Sequence, residues 1–127
     1  MDKKIFGRVS VNLPATIIND DGDKLEVTAV DTTGDIVDIL CSLKQRDAIA
    51  PGGNFMVGGR PVQLSLILSL PDGKGKDASV QAKCHIVYSR RLSKEQCMVR
   101  MRYVDIESQS LSRLLRYLQQ SSGFKEA

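Results

Sequence analysis

The run Val62-Gln63-Leu64-Ser65-Leu66-Ile67-Leu68-Ser69-Leu70 decides the fold class. Val62, Leu64, Leu66, Leu68 and Leu70 recur at every second position, with Gln63, Ser65, Ile67 and Ser69 between them. Side chains of a strand alternate between two faces, so this is a β-strand with one face in a core. Pro71-Asp72-Gly73-Lys74-Gly75-Lys76 then supplies turn chemistry with a basic tip. The same period returns downstream. Val80, Ala82, Cys84, Ile86 and Tyr88 form one row, and after the charged stretch Arg90–Glu95 so do Cys97, Val99, Met101 and Tyr103.

Upstream, Val9, Val11, Leu13, Ala15 and Ile17 alternate with Ser10, Asn12, Pro14 and Thr16. Pro14 has no N–H to give a ladder, which predicts an edge or a bulge there. Asp20-Asp21-Gly22-Asp23 reads as a turn, and Leu25, Val27 and Ala29 resume the pattern up to Val30. Asp31-Thr32-Thr33-Gly34-Asp35 breaks it before a third strand over 36–43. Residues 44–60 are polar or carry Gly52-Gly53 and Gly58-Gly59, and read as one long connection.

Near the C-terminus the period changes. Leu111, Leu114, Leu115 and Leu118 stand at i, i+3, i+4 and i+7, one stripe of a helix. Asp105 or Ser108 would cap its start and Gly123 would stop it. Six strands with one apolar face leave two exposed edges unless the sheet curls closed. The expected fold is therefore mainly β: a six-stranded antiparallel β-barrel with a C-terminal α-helix whose leucine stripe docks on it. As one domain over 1–127, it divides into an N-terminal arm (1–8), the barrel (9–105) and the helix (106–121).

The chain has 127 residues, 42% of them hydrophobic, and a net charge of +3. That length suits one domain and can bury a core without disulfides or metal. No stretch nears the roughly 20 apolar residues of a membrane span. Met1-Asp2-Lys3-Lys4 has no apolar run behind it, so no secretory signal is expected and the protein reads as cytoplasmic.

Cys41, Cys84 and Cys97 have no CxxC spacing and fall in strand patterns, as buried reduced thiols do. His85 is the only histidine, and it points away from the neighbouring Cys84, so neither a metal nor another cofactor is expected. One mid-strand histidine and carboxylates confined to a turn supply no nucleophile–base pair, which argues against an enzyme. Aromatic residues make up only 5% and there is no Trp, a poor supply for stacking the bases of an oligonucleotide.

Two features are left over. Lys3-Lys4-Ile5-Phe6-Gly7-Arg8 puts three cations directly before the first strand, and Asp31-Thr32-Thr33 sits at the corner between the second and third. Alone, the first is an ordinary charged tail and the second an ordinary turn. Together with Val9-x-Val11-Asn12-Leu13-Pro14, the Val62–Pro71 run, Ile86-Val87-Tyr88, Arg102-Tyr103-Val104-Asp105-Ile106 and the terminal leucine-rich helix, they resemble a PilZ domain over about residues 3–120. The resemblance implies a six-stranded barrel with a C-terminal helix, and in many members a bacterial receptor for cyclic di-GMP. Its ligand motifs are RxxxR before the first strand and [D/N]xSxxG at the following corner.

The chemistry of those motifs is plain. The ligand offers two phosphates and two guanine edges, and a planar guanidinium satisfies either with two bonds. Carried over by position, the resemblance implies a ligand set of Lys3, Lys4, Arg8, Asp31 and Thr33. Lys4 stands for the first Arg, keeping the charge and losing the fork, and Thr33 stands for Ser. Ile36 stands where the final Gly belongs, with Gly34 two residues earlier. The implied function is a non-enzymatic signalling module that reads cyclic di-GMP and relays it to a protein partner. The alternative is a ligand-independent adaptor for motility, secretion or exopolysaccharide machinery.

Overall fold

The structure is a computed structural model, and it describes residues 9–71 and 78–122. The arm residues Lys3, Lys4 and Arg8, the basic tip at 72–77 and Gly123 lie outside the described residues. Six long strands form the barrel: β1 (Val9–Ile18), β2 (Lys24–Thr32), β3 (Ile36–Ser42), β6 (Leu64–Leu70), β7 (Ala78–Arg91) and β8 (Gln96–Ile106). Every neighbouring pair is antiparallel, and the order β1-β2-β3-β8-β7-β6 closes on itself through β1 and β6. Closure removes the sheet edges that six half-apolar strands would otherwise expose.

The alternation expected for 62–70 is what fills the interior. Leu64, Leu66 and Leu68 are fully buried beside Ile17, Ile39, Val80, Val99 and Met101. The terminal helix α2 (Ser108–Ser122) adds Leu114 and Leu118 to that core. A fully buried leucine contributes about 1.5–3 kcal/mol. Polar contacts fix the helix against β7: Ser110 Oγ accepts from Gln81 N–H at 3.0 Å, and Arg113 Nη1 donates to Ser79 O at 2.9 Å.

The structure corrects the sequence reading at several points. Residues 44–60 are not one plain connection. They hold a short helix α1 (Leu43–Ile49), a 3₁₀ turn (Pro51–Gly53) and a small hairpin, β4 (Met56–Val57) with β5 (Arg60–Pro61). Gly58 and Gly59 both have positive φ, as a type I′ two-residue hairpin turn requires. Helix α1 has a complete capping box between Ser42 and Gln45, and its Ile49 is fully buried. The expected loop at 90–95 shrinks because β7 runs on to Arg91. Asp105 belongs to β8 and Ser108 is already helical, so neither is the helix cap; the Glu107 carbonyl accepts from Leu111 N–H at 2.9 Å.

Pro14 follows an irregularity in the β1–β2 register between Ser10 and Leu13, and lies past the last residue of β1 paired with β6, Ala15. Its missing N–H is thus tolerated in a closed barrel.

Candidate functional site

The site starts from the corner between β2 and β3. Thr33 Oγ1 accepts from Asp35 N–H and Ile36 N–H, each at 3.0 Å, and Thr33 N–H donates to Ile36 O at 2.9 Å. This is the local side-chain-to-backbone pattern that Thr favours in turns. The buried Thr32 next to it secures the corner to β8. Its one hydroxyl proton points at the carbonyls of Thr33 and Ile36, both at 3.0 Å, so the Tyr103 hydroxyl at 3.1 Å is the donor into Thr32. Burial pushes the Tyr103 phenol well above its ordinary pKa.

Strict alternation would send Asp31 to the same inner face as Ala29. It does not go there. Ala29 pairs with Ile39 and Asp31 with Asp38, so Val30 is an extra residue in β2. This bulge turns Asp31 outward and lets Thr32 take the interior place opposite Val37. A second bulge does the same in β7. Ile86 pairs with Met101 and Tyr88 with Arg100, leaving Val87 unpaired and 43% exposed. Tyr88, expected inward, therefore lies on the outer face.

The two bulges assemble one row across the outside of the barrel: Ser10, Asp31, Asp38, Arg100 and Tyr88, on β1, β2, β3, β8 and β7. Ser10 Oγ donates to Asp31 Oδ1 at 3.2 Å. Arg100 donates from Nε to Asp38 Oδ1 at 2.7 Å and from Nη2 to Asp38 Oδ2 at 3.0 Å, a two-bond fork. The same guanidinium lies 5.0 Å from the centre of the Tyr88 ring, within reach of a cation–π contact. The Asp38 hydrogen bonds, then the charges of Asp38, Tyr88 and Asp31, hold Arg100 above the usual arginine pKa against a smaller opposing effect of burial.

The alternation of the ladder explains the fit. Tyr103 N–H donates to Asp35 O in the β3–β8 register, which makes 35–103, 37–101, 39–99 and 41–97 the hydrogen-bonded pairs. Asp38–Arg100 then falls in the other class, where opposed Cα atoms are about 4.5 Å apart and side chains meet most closely. The Asp38 side chain is 2% exposed and that of Arg100 16%, so this pair is shielded although it faces outward.

Of the ligand residues expected from the sequence, Asp31 lies in this row and Thr33 lies at its corner, with its acceptor capacity spent on the turn. Lys3, Lys4 and Arg8 are outside the described residues. Arg8 directly precedes Val9, so in the chain it stands two residues from Ser10. Ile36 is half-buried opposite Arg102. Sequence reasoning missed Asp38, Arg100 and Tyr88 as members of the row. A lone carboxylate inside Ile36-Val37-Asp38-Ile39-Leu40 was the available signal, since a charge amid strand apolars needs a partner. Among the described residues, no group of three or more His, Cys, Asp or Glu side chains could hold a metal ion, and no helix is long and apolar enough to cross a membrane.

No known family's sequence profile matches this chain, and no curated protein does either. Solved structures do. The chain is similar to the Bacillus subtilis inhibitor of motility MotI/DgrA, with a TM-score of 0.69 and 16% identity over 94% of this chain and 51% of that one. It is also similar to the Borreliella burgdorferi PlzA protein solved in complex with c-di-GMP, with a TM-score of 0.59 and 6% identity over 99% of this chain and 58% of that one. The chain spans little more than half the length of either. At such identities the likeness establishes the fold, and that fold is PilZ-like.

Proposed function

We propose that this PilZ-like barrel, taken over the whole of 1–127 as one domain, is a non-enzymatic cytoplasmic signalling module for cyclic di-GMP. The observation that supports it best is the outward row Ser10–Asp31–Asp38–Arg100–Tyr88, which adjoins the strand that the basic arm enters. Charge makes arm and row complementary. Two carboxylates against one guanidinium leave the row with a net charge of −1, and Lys3, Lys4 and Arg8 turn that into +2. A dianion with two phosphates matches the combined surface and would be repelled by the row alone. Asp31 then accepts from a guanine edge, while Arg8 and Lys4 reach phosphate or guanine acceptors. Ordering the arm over the barrel would be the signal that a protein partner reads.

One feature favours the ligand-independent adaptor as a second reading. Arg100, the described guanidinium of the row, is already held at both ends of its fork by Asp38.

Calorimetry with cyclic di-GMP at near-physiological salt separates the two. Binding that Arg8→Ala and Asp31→Ala each weaken, and Lys4→Arg strengthens by about five-fold to a hundred-fold, supports the receptor, because a well-made two-bond contact is worth roughly 1–3 kcal/mol. A folded Lys4→Arg variant that fails to bind at millimolar ligand overturns it in favour of the adaptor.

A further inference from the structure

Away from that row, helix α1 and the ends of β7 and β8 enclose a cleft of about 350 Å³ lined by Leu43, Arg46, Asp47, Ser89, Arg91 and Cys97. Its position follows from the bulge at Val87. Beyond it, Ser89 and Arg91 pair with the buried Val99 and Cys97, so β7 presents polar side chains to the inner face at this end of the barrel. Barrel mouths of this kind are common ligand sites.

Two arginines, Arg46 and Arg91, line it against the single carboxylate of Asp47. The Arg46 Nε is buried and, among the described residues, has no hydrogen-bond partner. The Asp47 contact to Arg46 Nη2 is long, at 3.4 Å, and the Asp47 side chain is 66% exposed. A buried donor of a charged group left unsatisfied is costly, and a guanidinium more so than an amide. Arg91 is anchored by two backbone carbonyls, Nε to Ser93 O at 2.9 Å and Nη2 to Lys94 O at 3.3 Å. Those bonds fix its direction without neutralising its charge. Ser89 adds a hydroxyl, and Leu43 and Cys97 supply an apolar wall.

We infer that this barrel mouth is a second anion site, for a phosphate group, free or as a small phosphomonoester. Guanidinium forks match the edges of a tetrahedral oxyanion, and one anion in the cleft between Arg46 and Arg91 offsets the excess positive charge that lines it. The cleft exceeds the roughly 30 Å³ share of one water many times over, so it has room for the organic part of an ester against Leu43 and Cys97.

The test uses the full chain labelled with ¹⁵N and follows the arginine Nε–H resonances, with ionic strength held constant by sodium chloride. Inorganic phosphate should move the Arg46 Nε–H signal saturably in the millimolar range, and glycerol phosphate should move the same signal. Equal affinities assign the site to free phosphate, and tighter binding of glycerol phosphate assigns it to the ester. Arg91→Gln, at an exposed position that leaves the fold intact, should weaken binding about ten-fold or more by removing one charged donor pair. Phosphate should also slow the labelling of Cys97 in the wild type and not in Arg91→Gln. Asp31→Ala should leave all of this unchanged, which separates the site from the outer row. A shift that follows ionic strength alone, or one whose midpoint Arg91→Gln leaves unchanged, overturns the inference.

Discussion

Asp38 and Arg100 face each other across the β3–β8 ladder in its close, non-hydrogen-bonded register, and the carboxylate holds both ends of the guanidinium fork. The two partners are unequally shielded, with the acid 2% exposed and the base 16%. Losing either one therefore has different consequences.

Arg100→Leu should cost about 3 kcal/mol or more, because a buried carboxylate is left alone. Asp38→Leu should cost less, about 1–2 kcal/mol, since the long arginine can turn toward water. Replacing both by leucine should recover most of the loss. Urea unfolding of the three variants reads this directly, and equal, additive costs would show that the pair is not coupled.

Thr33 was legible as a ligand residue only through a motif, and the structure gives its hydroxyl oxygen a local task. Thr33→Ala should lower stability by about 1–2 kcal/mol without any ligand, since two backbone N–H groups lose their acceptor. Thr33→Ser should stay within about 0.5 kcal/mol of wild type. Thermal unfolding settles it, and an unchanged midpoint for Thr33→Ala would mean the corner holds itself.

Alkaline stability should fall in a defined window. Burial raises Cys84 from 9.0 to about 12, and burial, then the neighbouring Cys97, raises Cys41 from 9.0 to about 11 against a pull downward from Arg46. These acids keep their protons longer when folded, so their contribution is complete below about pH 9 and is lost as pH rises toward 11 and 12. Each adds a slope of up to about 1.4 kcal/mol per pH unit in that window, and Tyr103 adds to it from pH 10 upward. Denaturation at pH 8, 10 and 11 should show the decline, and Cys84→Ala should flatten it. A level profile to pH 11 contradicts the burial of these groups.

Cys41 and Cys97 are directly opposed, yet they should resist joining. Their pair belongs to the hydrogen-bonded class, where the side chains splay and opposed Cβ atoms lie about 5.5 Å apart. A disulfide needs Cβ atoms within about 4.5 Å. The native protein treated with a mild thiol oxidant should keep three free thiols by mass and by thiol titration. Appearance of a 41–97 crosslink without denaturant would refute the register.

The sequence pattern carried the barrel well because alternation is a property of each strand by itself. Leu64, Leu66 and Leu68 had to share a face whatever surrounded them. The bulges at Val30 and Val87 were hidden for the opposite reason. An extra residue is defined against the partner strand, and Val-Asp-Thr and Val-Tyr-Ser read acceptably in either register. The motif points to Asp31, whereas Tyr88 lies on the face opposite to the one its alternation predicts, and no motif marks Asp38 or Arg100. Helix α1 was a different kind of miss. Ser42-Leu43-Lys44-Gln45 spells a capping box, but seven residues give too short a period to stand out.

Strand β1 is unevenly secured. It pairs with β2 over most of its length, whereas its pairing with β6 covers only Ala15 to Ile18. From Val9 to Pro14 the barrel wall thus has a seam, held on one side. Backbone openings of lowest cost begin where ladder bonds are fewest, so local unfolding should start at this seam and stop near Ala15. The seam is continuous with the arm that carries Arg8. A ligand that clamped the arm, as proposed above, would also close the weakest stretch of the wall, and its binding should be read as slower opening of the barrel itself.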